Sequence, residues 1–130
     1  MPRSTVYWFQ EDENSCPLKE WIDNIKPKKA QAKVIARILL LEELGHELRR
    51  PHADYLEDGI YELRERYKTN QYRILFFFAG KDIVILTHGL VKNTDEVPPA
   101  EIQRAKKYRQ MFLSMPEKHT YEEGDDDEQE

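Results

Sequence analysis

Apolar and charged positions alternate most sharply between Ile60 and Lys92. In Tyr61-Glu62-Leu63-Arg64-Glu65-Arg66-Tyr67-Lys68 the odd positions are mostly apolar and the even ones all charged. Side chains alternate across a strand, so Glu62, Arg64, Arg66 and Lys68 are expected on one face. Apolar runs around Arg73 and ahead of Lys92 extend the pattern, predicting strands over residues 60–68, 71–79 and 82–91. Thr69-Asn70 and Gly80-Lys81 are short enough for hairpins, which makes the three strands an antiparallel meander.

Upstream the period lengthens. Val6-Tyr7-Trp8-Phe9 reads as a short first strand. Pro17 follows Asn14-Ser15-Cys16, and Leu18, Trp21, Ile22 and Ile25 recur at helical spacing, predicting a helix over 17–25. A longer helix is expected from Pro27. Its stripe is Ala30, Val34, Ile38, Leu41 and Leu44, Lys28, Lys29, Lys33 and Arg37 flank it, and Gly45 stops it. Residues 46–59, with Pro51, read as a polar loop. Val97-Pro98-Pro99 opens a last helix along Ile102, Ala105, Tyr108 or Arg109, and Phe112, and Pro116 ends it. The order β-α-α-β-β-β-α implies an α+β fold, with helices on one face of an antiparallel sheet and the Arg64/Arg66 face left open.

At 130 residues the chain fits one domain with a real core. Its formal charge of −5 conceals a split. Residues 121–130, YEEGDDDEQE, hold seven of the 25 acidic groups and none of the 20 basic ones, leaving 18 acids against those 20. The expected division is a folded domain over 1–116 and an acidic, disordered tail over 117–130. The tail is either a solubilising appendage or, through Asp125-Asp126-Asp127, a phosphate mimic for the basic face. No apolar run approaches the roughly 18 residues of a membrane span. The opening segment lacks a secretory apolar region, so the cytoplasm is the expected address. Cys16 is the one cysteine, excluding an internal disulfide.

The signatures of common enzyme classes are absent: no phosphate-binding loop, GxSxG, HExxH or CxxC. His46, His52, His88 and His119 show no metal-ligand spacing, so neither a metal nor a cofactor is expected. Arg64, Arg66, Arg73 and Lys92 gather cations in one region without an equal set of carboxylates. Cleaving RNA without metal requires the phosphate held, the 2′-hydroxyl deprotonated and the 5′-oxygen protonated. Arginine forks suit the phosphate, and Lys68, Lys92 and His88 are available to move protons. The same residues also read as an ordinary charged strand face, with Glu62 and Glu65 pairing Arg64 and Arg66. Phe76-Phe77-Phe78, Trp8 and Trp21 read as core.

The runs GIYELRERYKTNQYRILFFF and DIVILTHGLVKNTDEVPPAEIQRAKKYR resemble the HigB-like branch of the RelE/ParE toxin superfamily. The hallmarks are YELR, YRI, the third strand ending in HG-hydrophobic-VK, and P-x-x-E-I-x-x-A opening the last helix. With the helix pair, the similarity spans about residues 5–113. It implies a small RelE-like fold, with two N-terminal helices on one sheet face and a C-terminal helix. It also implies a toxin of a type II toxin-antitoxin system acting as a ribosome-dependent, metal-free mRNA endoribonuclease that inhibits translation. Its partners would be the ribosome, mRNA and a cognate helix-turn-helix antitoxin; no membrane and no DNA reading by the toxin itself are implied. The matching cations are Arg64, Arg66, Arg73 and Lys92. Residues assigned to catalysis are Arg64, Arg73, Lys92 and His88, with Arg66 and Lys68 binding RNA phosphates. The chain departs where RelE carries a tyrosine after its last strand, because Val97-Pro98-Pro99 stands there; His52, His88 or Asp95 would substitute. A lone Lys92 followed by Asn93 is also less cationic than the paired basic residues of that branch. The same fold supports a ParE-like, non-enzymatic inhibitor of DNA gyrase, or an inactive RNA-binding homologue.

Overall fold

A computed structural model describes residues 3–92 and 96–122. Three helices and six strands form an α+β fold consistent with a small RelE-like domain. Strand β1 spans Thr5–Phe9, helix α1 Pro17–Asp23 and helix α2 Lys28–Leu44. Strands β2 (Ala53–Glu57), β3 (Ile60–Tyr67), β4 (Asn70–Phe78) and β5 (Ile83–Lys92) follow. Helix α3 spans Pro99–Ser114 and β6 is Thr120–Tyr121. The sheet order is β2-β3-β4-β5-β1-β6, antiparallel throughout except for β1, which runs parallel to β5.

The amphipathic stripes decide the layers. Leu18 and Ile22 of α1 and Ala30, Val34, Ile38 and Leu41 of α2 pack on Leu63, Tyr72, Ile74, Phe76, Val84 and Leu86. Gly45, at φ 53°, ends α2 in the left-handed region that glycine adopts freely. The opposite face holds a second core, where Ala105, Tyr108 and Phe112 of α3 cover Phe9, Ile60, Leu75, Phe77 and Ile85. The expectation of one open face is therefore corrected. Phe77 and Leu75 are apolar on that side too, and α3 buries them. The far half of that face carries Arg64, Arg66 and Arg73.

Two strands fall in segments read as loop or tail. Ala53–Glu57 alternates only weakly and its odd positions Tyr55 and Glu57 face water, as charged edge strands do. Thr120–Tyr121 pairs with Phe9 and Trp8, so the ordered chain passes the expected boundary at residue 116. Trp8 stacks on Tyr121, and buried His119 stacks on Phe9. Residues 123–130, including Asp125-Asp126-Asp127, lie outside the described residues.

A bulge in β5 sets the chemistry of the sheet. Leu75 pairs with His88 but Phe76 pairs with Leu86, leaving Thr87 as the extra residue. One inserted residue swaps every later side chain to the other face. Val84 and Leu86 face α1 and α2, yet His88, Leu90 and Lys92 pair with Leu75, Arg73 and Gln71 on the α3 side. Gly89 correspondingly turns towards α1, where a Cβ would run into the Trp21 ring. Gly89→Ala is expected to cost about 1–3 kcal/mol by overpacking and to shift Trp21 fluorescence. Urea unfolding of the two proteins tests this, and equal midpoints would contradict the close approach.

Candidate functional site

The antiparallel register places Arg64 directly opposite Arg73 and Arg66 opposite Gln71. Like charges at such positions repel. The structure resolves the conflict with Glu62, whose carboxylate is almost wholly buried. Glu62 Oε2 accepts from Arg64 Nε at 2.8 Å, and Oε1 lies 3.0 Å from Arg73 Nε. Arg73 Nη2 donates to Gln71 Oε1 at 2.8 Å. Arg64 Nη2 also reaches Asp54 Oδ2 on β2 at 3.3 Å, and Arg50 pairs with that same oxygen at 2.9 Å. The Arg50 hydrogen bond holds the Asp54 carboxyl below the usual carboxylate range. Glu62 and Asp54 thus neutralise part of the expected cation cluster, and cations remain in excess over carboxylates.

The alternative pairing scheme is half met. Glu62 pairs with Arg64, but Glu65 turns to the helix side. There it accepts from Arg37 Nε at 2.9 Å and Nη2 at 2.5 Å, and lies 3.5 Å from Lys33 Nζ. Arg66 is exposed. Lys68 does not share the strand face, because it occupies the β3–β4 turn at φ 56° and lies over the Tyr67 ring.

Beyond the end of β2, the side of β3 opens into a cleft of about 360 Å³. Arg37, Pro51, His52, Arg64, Glu65, Arg66, Gln71 and Arg73 line it. Four guanidinium groups thus face one lining carboxylate, with Glu62 behind them. A larger groove of about 720 Å³ runs beside α3 along Gln103, Lys107, Gln110 and Leu113. It shares no residue with the arginine cleft, and its Lys106 and Arg109 are engaged by Glu57, Asp58 and the Asp58 carbonyl, so the smaller cleft is the better site.

The remaining predicted residues divide. Lys92 pairs across β4–β5 with Gln71, on the arginine face, and is buried. His88 sits elsewhere, 1% exposed, with its ring edge-on to Tyr108. Its Nε2 lies 3.0 Å from Glu101 Oε1 and its Nδ1 3.0 Å from Thr87 Oγ1. Burial, reinforced by Arg104, pushes its pKa down to about 4. It lines a different cleft with Glu11, Trp21 and Arg104, and is not gathered with the arginines. His46 stacks on Phe78. Asp95 and Asn93 lie outside the described residues. Sequence reasoning missed Arg37, read as a solvated helix flank, and Asp54, read as loop. Among the described residues no group of His, Cys, Asp and Glu has the arrangement to hold a metal ion. No helix among them is long and apolar enough to cross a membrane.

The family described as Phage derived protein Gp49-like (DUF891) matches residues 20–110, from α1 to most of α3. The chain belongs to this family. It is a family of toxin-antitoxin toxins related to the RelE-type toxins, and membership implies an antitoxin partner. No curated protein matches the chain. All the residues lining the arginine cleft fall inside the family match.

Two outcomes follow from the buried charges. Glu62→Gln keeps the shape but leaves Arg64 and Arg73 facing each other, and is expected to cost about 3–5 kcal/mol in denaturant unfolding. A loss below about 1 kcal/mol would show that Glu62 is not what permits the pair. His88 makes stability depend on pH. Its folded pKa lies below the unfolded value of 6.5, so the unfolded chain takes up the extra proton and stability falls as pH drops from 6.5 towards 4. The full effect is about 3 kcal/mol. The difference in unfolding free energy between wild type and His88→Gln should shrink over that range, and a pH-independent difference would contradict the buried, uncharged imidazole.

Proposed function

We infer that this protein is the toxin of a toxin-antitoxin pair and acts as a metal-independent endoribonuclease on mRNA at the ribosome, in the manner of the HigB-like branch. The observation that carries this reading is the cleft in which Arg37, Arg64, Arg66 and Arg73 converge beside His52 and Gln71. A phosphodiester is anionic, and its charge grows when the 2′-oxygen attacks phosphorus. Preorganised guanidinium groups stabilise that charge and need no reorganisation as it develops. Arginine does not give up its proton, so these side chains grip and stabilise but do not relay. Arg66, exposed at the mouth, makes first contact with the strand. Arg64 and Arg73 are held in place through Glu62, so they meet the phosphate already oriented. Lys92 on the same face adds charge from the far side of β4. In the cell the protein would be restrained by an antitoxin, with the cytoplasm as the site of action.

The second reading is a gyrase inhibitor on the same fold. The two separate by which polymer is damaged first: cut mRNA, or DNA with trapped breaks. Expression of the intact chain, with mapping of new 5′ ends on translated and untranslated copies of one mRNA, is expected to show cuts on the translated copy alone. Growth arrest without cuts would move the assignment to gyrase. Burial of Arg73 against Glu62 makes Arg73→Ala a poor probe, because it strips a buried carboxylate of one of its two arginine partners. Arg66→Ala is the cleaner variant. It should lower cleavage about 10- to 100-fold, the worth of one charge-assisted phosphate contact, with the melting temperature unchanged. Full cleavage by Arg66→Ala would remove the cleft from the reaction.

A further inference from the structure

His52 lies in the cleft with Arg64, Arg66, Gln71 and Arg73, and its Nδ1 is in hydrogen-bond contact with Arg37 Nη1. Arg37 is itself anchored, because its Nε and Nη2 both donate to Glu65 Oε1 from the other side. Lys33 stands 3.5 Å behind that carboxylate. The chain Lys33/Glu65–Arg37–His52 therefore runs from the helix side of the sheet, around the exposed side of β3, into the arginine cleft.

The chemistry of this contact is decided by donor inventory. A guanidinium has only N–H donors and no acceptor. The imidazole nitrogen that meets it must present a lone pair, so Nδ1 carries no proton. A ring with a bare Nδ1 has its one proton on Nε2, on a side chain that lines the cleft. Such a ring cannot accept a proton at Nε2. Releasing the Nε2 proton would require an imidazolate anion. Proton transfer in either direction is thus blocked at that atom, while hydrogen-bond donation is favoured. A neutral imidazole held in one tautomer is a recognised way to donate to developing charge.

Resting on the ribonuclease reading for the substrate class, the geometry points to Arg37 as a positioning residue that fixes His52 as a neutral Nε2–H donor to a phosphate oxygen, and not as a proton carrier. The cleft then presents its anion with forks from Arg64, Arg66 and Arg73 and one N–H from His52. The specificity is for a phosphodiester or phosphate group. Glu65, read from sequence as a partner for strand arginines, becomes the anchor that orients Arg37.

The test begins with the intact chain and needs no variant. Nitrogen-15 NMR of its histidines at neutral pH is expected to show His52 with Nδ1 bare and Nε2 protonated. Arg37→Gln should turn this into a mixture of tautomers. A protonated Nδ1 in the wild type, alone or as imidazolium, overturns the inference. Inorganic phosphate, and then an uncleavable 2′-O-methyl RNA oligonucleotide, should each move the His52 Nε2–H signal. Movement of the cleft arginine signals without His52 removes it as an anion ligand. In cleavage assays His52→Gln, which keeps an N–H donor but cannot shuttle protons, should lose about three- to tenfold, and His52→Ala about 100-fold. Equal, near-complete loss in both would assign proton transfer to His52 and refute the proposal. If the wild type cuts no RNA at all, the nuclease reading falls while the tautomer and the phosphate titration still decide this one.

Discussion

Two arginines face each other across β3 and β4, and one buried carboxylate makes that tolerable. Burying Glu62 without partners would cost several kcal/mol, and placing Arg64 opposite Arg73 without it would set cation against cation. Together they form a compact unit with a cation in excess, rigid because each member needs the other two. The cleft inherits that rigidity. Arg64 and Arg73 sit on paired strands rather than loops, and Glu62 sets their orientation.

The same face of the sheet does two jobs. Near Phe77 and Ile85 it is apolar and covered by α3; near Arg64 and Gln71 it is polar and opens to the cleft. The β5 bulge makes this division work, since it brings Lys92 round to the arginines while Val84 and Leu86 remain under the helix pair. Were Thr87 accommodated by strict alternation instead of a bulge, Lys92 would share the face of Val84 and Leu86 beneath the helix pair, where a lysine is costly.

Much of this was legible in the chain. The hairpins, the helix pair with its Gly45 stop, and the Arg64/Arg66/Arg73 set follow from periods of two and 3.6, and from turn residues. Tyr108, one of two alternatives, is the buried member of its stripe. What stayed hidden depends on contacts distant in sequence. Ala53–Glu57 and Thr120–Tyr121 become strands only because β3 and β1 offer them edges. Glu62 reads as a surface charge until Arg73 arrives from the next strand. Arg37 is 15 residues from His52 and 28 from Glu65, a triangle that no local pattern announces. His88 looked like a companion of the arginines because the bulge and the cover of α3 cannot be read from its own neighbours.

The placement of β1 has a consequence for how the molecule comes together. The cleft is built by α2 and the hairpins β2 to β4, segments close together along the chain. Closing the sheet, by contrast, brings β1 back beside β5, and β6 beside β1 through contacts such as His119 Nδ1 to the Gln10 carbonyl, 109 residues apart. Loop closure over such distances is slow relative to hairpin formation. Sequence separation therefore favours assembly of the cationic half of the sheet from local contacts ahead of the closure by β1 and β6. The arginine register thus rests on hairpin contacts, and the seal of the far edge on contacts spanning nearly the whole chain.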